Sequence, residues 1–340
     1  MKAVRIHEFG GPEVLKYEDV ADPVLRKDYV LVRVRACALN HLDLWVRKGL
    51  PGVKLPHILG SDVAGEVVEA GEYITGVKAG TRVLLAPMVF CSHCEHCVGG
   101  HTNFCPQFSV LGNAVDGGNC ELIAVPQVNI IPIPDSLDFV QAASVPLVFL
   151  TAWHMLVGRA HLRAGQTVLV LGAGSGVGSA AIQIAKMLAA EVITTAGDER
   201  KLAKARELGA DHTIDHYKQK IADEVRRITN KRGVDIVFEH VGQATWPDSI
   251  RSLRPGGTLV TCGATTGYEG NIDLRVLFAK QLSLVGSYMG EMGELHEVLK
   301  HVFAGKLKPV VDRTFPLSET RAAHEYLAKS EMFGKVVLTV

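Results

Sequence analysis

The sequence predicts an α/β protein in which a doubly wound parallel sheet is joined to a second, largely antiparallel β domain. Three observations predict this. From Val168 onward, short apolar runs alternate with helical patterns, as the crossovers of a parallel sheet require. The first 130 residues carry strand signals rather than helix signals. At the head of the alternating part stands Val168–Gly178, VLVLGAGSGVG, an apolar run followed by glycines at 172, 174, 176 and 178. Val177, Ala181, Ile184, Ala185 and Leu188 then recur at helical spacing, so the glycines make the turn between a strand and a helix. Such a turn aims helix N-terminal amides at an anion, usually a dinucleotide pyrophosphate, and glycine lets the backbone approach it closely. The strict G-x-G-x-x-G spacing is not met. Gly174, Ser175, Gly176, Val177 and Gly178 are the candidate cofactor-binding residues of this turn.

Composition narrows the class. A chain of 340 residues is long enough for two domains with large cores. Lys plus Arg and Asp plus Glu number 36 each, and no basic block points to nucleic acid. No apolar run is long enough to span a membrane, and MKAVRIHEFGG lacks the apolar core of a signal peptide. Seven cysteines, four of them clustered, fit a reducing cytoplasm and a metal site better than a disulfide framework.

The elements follow in order. Tyr29 to Ala36 alternates, with Val30, Val32 and Val34 on one face and Arg33 and Arg35 on the other. Val63 to Ala70 and Arg82 to Ala86 are further short strands of an expected compact β barrel. Helical character begins near Asp138 to Val157. Parallel strands are expected at 168–171, 191–195, 212–214, 235–239, 258–262 and 283–288, with helices at 200–208, 218–229 and 244–253 among the crossovers. A helix near 294–304 and a final strand Gly334 to Val340 return to the first domain. The expected domains are therefore 1–155 with 290–340, and 156–289.

The most specific motif is Cys91-x-x-Cys94-x-x-Cys97-x7-Cys105. Four thiolates in one short loop can close a tetrahedral shell around Zn²⁺ and leave no open position, which marks a structural rather than a catalytic site. One zinc per chain is expected. A full thiolate shell leaves His93, His96 and His101 without a coordination role.

The whole constellation resembles the medium-chain dehydrogenase/reductase superfamily, the group of zinc alcohol dehydrogenases and quinone oxidoreductases. The resemblance covers essentially the full length. It rests on the GPEVL-type opening, on Ala38-Leu-Asn-His-Leu-Asp43, on Pro56-x3-Gly60-Ser-Asp-x2-Gly65, on the cysteines, on the glycine turn and on the Gly334-Lys-Val-Val ending. It implies a GroES-like catalytic domain, a Rossmann domain, an active-site cleft between them, and a homodimer or homotetramer associating through the edge of the Rossmann sheet. The apolar stretch Leu274 to Tyr288 fits such an edge.

The departures from the alcohol dehydrogenases bear most on chemistry. Those enzymes hold a catalytic zinc with a Cys in a Cys-(His/Arg)-x-Asp segment, a His in Gly-His-Glu, and a Cys or Glu shortly before a Thr. Laid on that pattern, the ligand positions are Asn40, Ser61 and a residue near Leu147, and the proton-relaying hydroxyl is Leu42. Asparagine, serine and leucine do not make a zinc site. Without a Lewis acid, reduction of an electron-poor acceptor stays feasible, because the developing oxyanion needs only hydrogen-bond donors. The expected activity is NADPH-dependent reduction of quinones or α,β-unsaturated carbonyl compounds without a catalytic metal. The alternatives are a zinc alcohol dehydrogenase with a rearranged metal site and a dinucleotide-binding redox sensor with little catalysis.

The resemblance assigns Asn40, Asp43, Ser61 and Asp62 to the catalytic side. It gives Asn40 a positioning role toward nicotinamide ribose or the substrate carbonyl, and Asp43 a role in orienting its loop. It brings His41 toward the pyrophosphate and Thr151 toward the nicotinamide. The strand at 191–195 ends in Thr-Thr-Ala196-Gly197, without the acid that binds the ribose hydroxyls of NAD. Arg200 and Lys201 follow, which favours the 2′-phosphate of NADPH; Asp198 keeps NADH as the alternative. His216 is placed beside the adenosine.

Overall fold

The computed structural model describes all 340 residues. The chain forms two compact units, Met1–Leu147 with Glu291–Val340, and Val148–Gly290.

In the first unit the strand Tyr29–Ala38 is the hub. It pairs antiparallel with Asp62–Ala70, with Leu122–Pro126 and with the C-terminal strand Lys335–Thr339. Its burial alternates as the sequence pattern requires: Val30, Val32, Val34 and Ala36 are buried, while Arg33 and Arg35 face solvent. At ten residues it is long enough to serve different partners at its two ends. Leu122–Pro126 lies along Tyr29 to Arg33, and Lys335–Thr339 lies along Ala36 to Ala38. The apolar face meets Ile58, Val63, Val83, Leu85, Ile123 and Val125 in one core cluster. A second cluster, built on Leu39, Leu44, Val46, Leu327 and Leu338, seats the helix His41–Gly49.

Lys335–Thr339 is entered through Gly334, whose φ is +104° and where a Cβ would lie 2.4 Å from the Val310 carbonyl oxygen. Only glycine suits that approach. The strand then returns to the hub: Val337 pairs with Ala38, and Leu39 N–H donates to the Val336 carbonyl. Ala38 also pairs with Asp62 on its other side. One end of three adjacent strands therefore gathers Asn40, Asp62 and Lys335.

The second unit is the expected parallel sheet. Its six strands run, in spatial order, His212–Asp215, Glu191–Ala196, Thr167–Val170, Val234–Glu239, Leu253–Thr261 and Ser283–Gly286. This is the 3-2-1-4-5-6 order of a dinucleotide-binding sheet, with the strand order reversing beside Thr167–Val170. Three details differ from the sequence pattern. The fifth strand starts at Leu253, five residues early, because Leu253 pairs with Val234 before an irregularity resets the register at Ile236 and Thr258. The stretch 274–288 is not all sheet: Leu274–Ala279 is a helix capped by Asp273, and only Ser283–Gly286 forms the edge strand. After Trp153 the helix Pro146–Trp153 widens into a π-helical segment, His154–Arg159. No helix is long and apolar enough to cross a membrane.

Candidate functional site

The cysteine lobe is local in origin. Two short loops bring Cys91, Cys94, Cys97 and Cys105 together, and their four sulfurs lie within 4.8 Å of one another. The Cys91 and Cys97 sulfurs are 3.9 Å apart, and those of Cys94 and Cys97 are 3.5 Å apart. A tetrahedral shell of thiolates at about 2.3 Å from zinc has edges of this length. The cluster lacks a counter-charge of its own. A backbone N–H at His93 leads in holding the Cys91 thiol down to about 6, while desolvation pushes Cys97 up to about 12. A divalent cation would supply the charge that lets all four ionise, so the residues fit zinc. The histidines stand aside from the sulfurs. His93 Nδ1 meets the Cys91 carbonyl at 2.7 Å, and His101 Nδ1 meets Glu291 Oε1 at 2.7 Å. Thr102 Oγ1 accepts the Met292 N–H, which ties the lobe to the start of the helix Met292–Phe303.

In the same unit, Asn40 N-caps the helix His41–Gly49, and its backbone N–H donates to Asp43 Oδ2 at 2.7 Å. Asp43 Oδ1 accepts the Gly60 N–H at 3.0 Å, so this carboxylate ties the segment at 40 to the segment at 60. Burial pushes its carboxyl up to about 6, against those two N–H donors and the nearby Lys335. Asp62 is fully buried. Its Oδ1 accepts the Leu147 N–H at 2.8 Å, and its Oδ2 accepts Asn40 Nδ2 and Lys335 Nζ, each at 2.9 Å. Lys335 Nζ also donates to Asn40 Oδ1 at 2.6 Å. Ser61 lies between these groups in sequence, but its buried Oγ has no partner within the protein.

Lys335 is the member that sequence reasoning missed. The Gly334-Lys-Val-Val ending marks its position, but a lysine near a chain terminus ordinarily reads as solvated. Nothing in the local sequence says that it faces a buried aspartate 273 residues away. His41 opens the helix His41–Gly49 and is half-buried.

The second unit holds the glycine turn. Ser175 N-caps the helix Gly176–Met187 by accepting the Gly178 N–H on its Oγ at 2.9 Å. Its hydroxyl donates back to the Gly172 carbonyl at 2.9 Å. A Cβ on Gly178 would lie 2.3 Å from that same carbonyl oxygen, which is why the fourth glycine of the run is required. Gly174, Gly176 and Val177 complete the turn and the first helical residues. Two further groups brace it. Thr195 Oγ1 accepts the Gly172 N–H at 3.0 Å, and His240, after the fourth strand, donates Nε2–H to the Leu171 carbonyl at 2.7 Å. Burial lowers the pKa of the His240 imidazole, against the opposing pull of the Leu171 carbonyl and of Glu239.

At the end of the second strand Ala196 is buried, and Asp198 accepts the Lys201 N–H as N-cap of the helix Glu199–Glu207. Arg200 and Lys201 occupy the first turn of that helix, with Arg200 exposed. The rings of His216 and Tyr217 meet edge-on at 4.6 Å, and a Cβ on Gly197 would strike both. Desolvation, partly offset by Asp215 and reinforced by Lys201, lowers the His216 pKa. Thr151 lies in the helix Pro146–Trp153, where its Oγ1 is buried without a partner in the protein.

This arrangement has known counterparts. Residues 26–135 match the alcohol dehydrogenase GroES-like domain, and residues 176–304 match the zinc-binding dehydrogenase domain. The chain belongs to the medium-chain dehydrogenase/reductase superfamily and is an oxidoreductase of that group. It is 30% identical to a quinone oxidoreductase of Pongo abelii, over 99% of this chain and 97% of that one. It is 33% identical to an NAD-dependent alcohol dehydrogenase of Sulfolobus acidocaldarius, over the full length of both. A crystal structure of an NAD-dependent alcohol dehydrogenase superposes with a TM-score of 0.97 at 43% identity, covering both chains completely.

Proposed function

We propose that the protein is an NADPH-dependent reductase of quinones or α,β-unsaturated carbonyl compounds that works without a catalytic metal. The observation that carries this reading is the donor set around Asn40. The position of the family's first zinc ligand is a carboxamide whose Oδ1 accepts a lysine ammonium, and the neighbouring Asp62 carboxylate accepts the same ammonium. A divalent cation there would have to displace a buried monovalent one, and the residues at the three ligand positions, Asn40, Ser61 and Leu147, offer neither thiolate nor imidazole. The convergent group of metal-binding side chains is the cysteine lobe.

When bound, a reduced nicotinamide supplies a hydride. The protein's own part is to bind and orient. The Gly176–Met187 helix N-terminus and the turn amides suit the pyrophosphate. The buried, unpartnered hydroxyls of Ser61 and Thr151 each keep hydrogen-bonding capacity for a bound group. Asp198 is engaged with its own helix, and Arg200 and Lys201 follow, which supports the 2′-phosphate of NADPH over the free ribose of NADH. His41 and His216 are the further cofactor contacts in this reading. We also infer a homodimer or homotetramer through the edge strand Ser283–Gly286, beside which Leu274, Phe278 and Tyr288 are exposed.

The test is an NADPH- and NADH-oxidation screen across quinones, enones, enoyl thioesters and aldehydes, with metal counting on the same sample. Turnover of quinones or enones with a higher kcat/KM for NADPH, at about one zinc per chain, is the expected result. The alcohol dehydrogenase relatives favour a second reading, NAD-dependent alcohol oxidation. Chelator-sensitive alcohol oxidation with a second zinc would establish it and reject the first.

A further inference from the structure

The first strand of the parallel sheet lies between the second and the fourth, and each neighbour sends one side chain to the glycine turn. The strand order reverses here, which is where such sheets bind their ligands. From the second strand, Thr195 Oγ1 accepts the Gly172 N–H, and the Thr195 carbonyl accepts the Ala173 N–H. From the end of the fourth comes His240. The Leu171 carbonyl, 2.7 Å from its Nε2, can only accept, so Nε2 carries the proton. The peptide plane between Leu171 and Gly172 is therefore held at both ends, its C=O by His240 and its N–H by Thr195. The Ser175 hydroxyl donates to Gly172 and accepts from Gly178, which leaves a lone pair for the same imidazole N–H at 3.3 Å. The ring lies against Gly172, φ +62°, where a Cβ would come within 3.2 Å of His240 Cε1. The placement of His240 is itself fixed. Next to it the buried Glu239 carboxylate accepts the Val241 and Gly242 N–H groups and the hydroxyls of Thr245 and Ser249. All these residues lie within Val148–Gly290.

Inside the turn, the N–H groups of Gly172, Ala173, Ser175 and Gly178 are bonded within the protein. Those of Gly174, Gly176 and Val177 have no partner in it, and they are the donors left for an anion. A turn with four glycines has wide backbone freedom, so these amides converge only if something outside the turn orders it. We propose that His240 is a positioning residue for the cofactor's diphosphate: by holding the Leu171 carbonyl and the Ser175 hydroxyl it keeps the amides of Gly174, Gly176 and Val177 arranged for that group. Its contribution is preorganisation, so it acts on affinity for the diphosphate rather than by touching the phosphates itself. The inference rests on the nucleotide-dependent reading above.

The experiment is fluorescence titration of NADPH, and calorimetric titration of ADP and AMP, onto the intact protein. Wild type is compared with His240→Leu and His240→Gln, with circular dichroism confirming the fold. His240→Leu is expected to weaken ADP and NADPH alike by about tenfold, the effect of one lost hydrogen bond to a buried carbonyl. AMP shares the adenosine but has no pyrophosphate, and is expected to weaken by less than about threefold. His240→Gln, whose amide N–H can stand where Nε2–H stood, is expected to stay within about threefold of wild type for each ligand. Unchanged ADP affinity in a folded Leu variant overturns the proposal. So does a loss as large for AMP as for ADP, which a merely loosened fold would give. A loss confined to NADPH also overturns it, since it marks a contact with the nicotinamide half, and so does a Gln variant as weak as the Leu variant. If the Leu variant does not fold, His240→Phe, a ring without the N–H, replaces it and is read by the same criteria. A wild type that binds ADP and NADPH but reduces no quinone or enone sinks the proposed activity and leaves this test standing.

Discussion

Two charged clusters in the first unit are built in opposite ways. The cysteine lobe spans fifteen residues, is half-exposed, and leaves its thiols to be balanced by a cation from outside. The Asn40–Asp62–Lys335 network joins residues 295 positions apart, is buried, and carries its own cation. The first is a short loop that cannot bury a core and so depends on a metal for its order. The second depends on the packed sheet that delivers its members, and the sheet in turn depends on their neutralising one another. Chelation should therefore act on the first and leave the second alone, while pH and charge substitution should do the reverse.

The largest effect is expected at the lobe. Cys97→Ser should remove the zinc and cost on the order of 5 kcal/mol, seen as a fall in Tm of about 10 °C or more. Retention of zinc and Tm would show that three sulfurs suffice and would break the contrast. Next comes Asp62→Ala, which strands a buried ammonium and should cost about 3–5 kcal/mol in a denaturant titration. A cost near zero would mean that the pair is effectively solvated, like the half-exposed lobe.

Asp43 gives the pH dependence. Its folded pKa, about 6, lies above the ordinary aspartate value of 3.8, so between these values the folded protein holds a proton that the unfolded chain has lost. Stability is therefore expected to fall as pH rises from about 4 to about 6, by on the order of 3 kcal/mol from this group. Asp43→Asn should flatten that slope in unfolding measured across the window, and an unchanged slope would assign it to other groups. The smallest effect is expected at a cap. Ser175→Ala should cost about 1 kcal/mol, because it removes one acceptor for the Gly178 N–H while the turn glycines remain. A much larger loss would mean that the hydroxyl is part of a cooperative network with His240, 3.3 Å away.

How much was legible in advance follows the same division. The glycine turn, the parallel strands and the cysteine lobe were readable because their geometry is set by residues adjacent in the chain. The helix Leu274–Ala279 was not, because the short apolar runs of LRVLFAKQLSLVGSY, broken by Arg275, Lys280, Gln281 and Ser283, fit neither the helix nor the strand period cleanly. The early start of the fifth strand was hidden behind Pro255-Gly256-Gly257, which reads as a turn but lies within a strand beside a register irregularity. At the candidate site, Asn40, Asp43 and Asp62 were found as sequence motifs, but their hydrogen bonds were not. Lys335 was visible only as part of an ending. His240 and Thr195 brace the glycine turn from other strands, so no spacing rule reaches them.

By itself, then, the sequence determined the class of fold, the superfamily and the metal lobe. The fold class and the lobe follow from period and local spacing, which act over one or two turns of chain, and the superfamily from the resemblance of motifs along it. Tertiary structure alone decided which way Asn40 faces, that Asp43 carries a raised pKa and that the cation beside Asp62 is Lys335. These are consequences of three strands ending side by side and of desolvation at that end. Both are set by contacts between residues far apart in the chain, at a depth where an unpaired charge is too costly to keep.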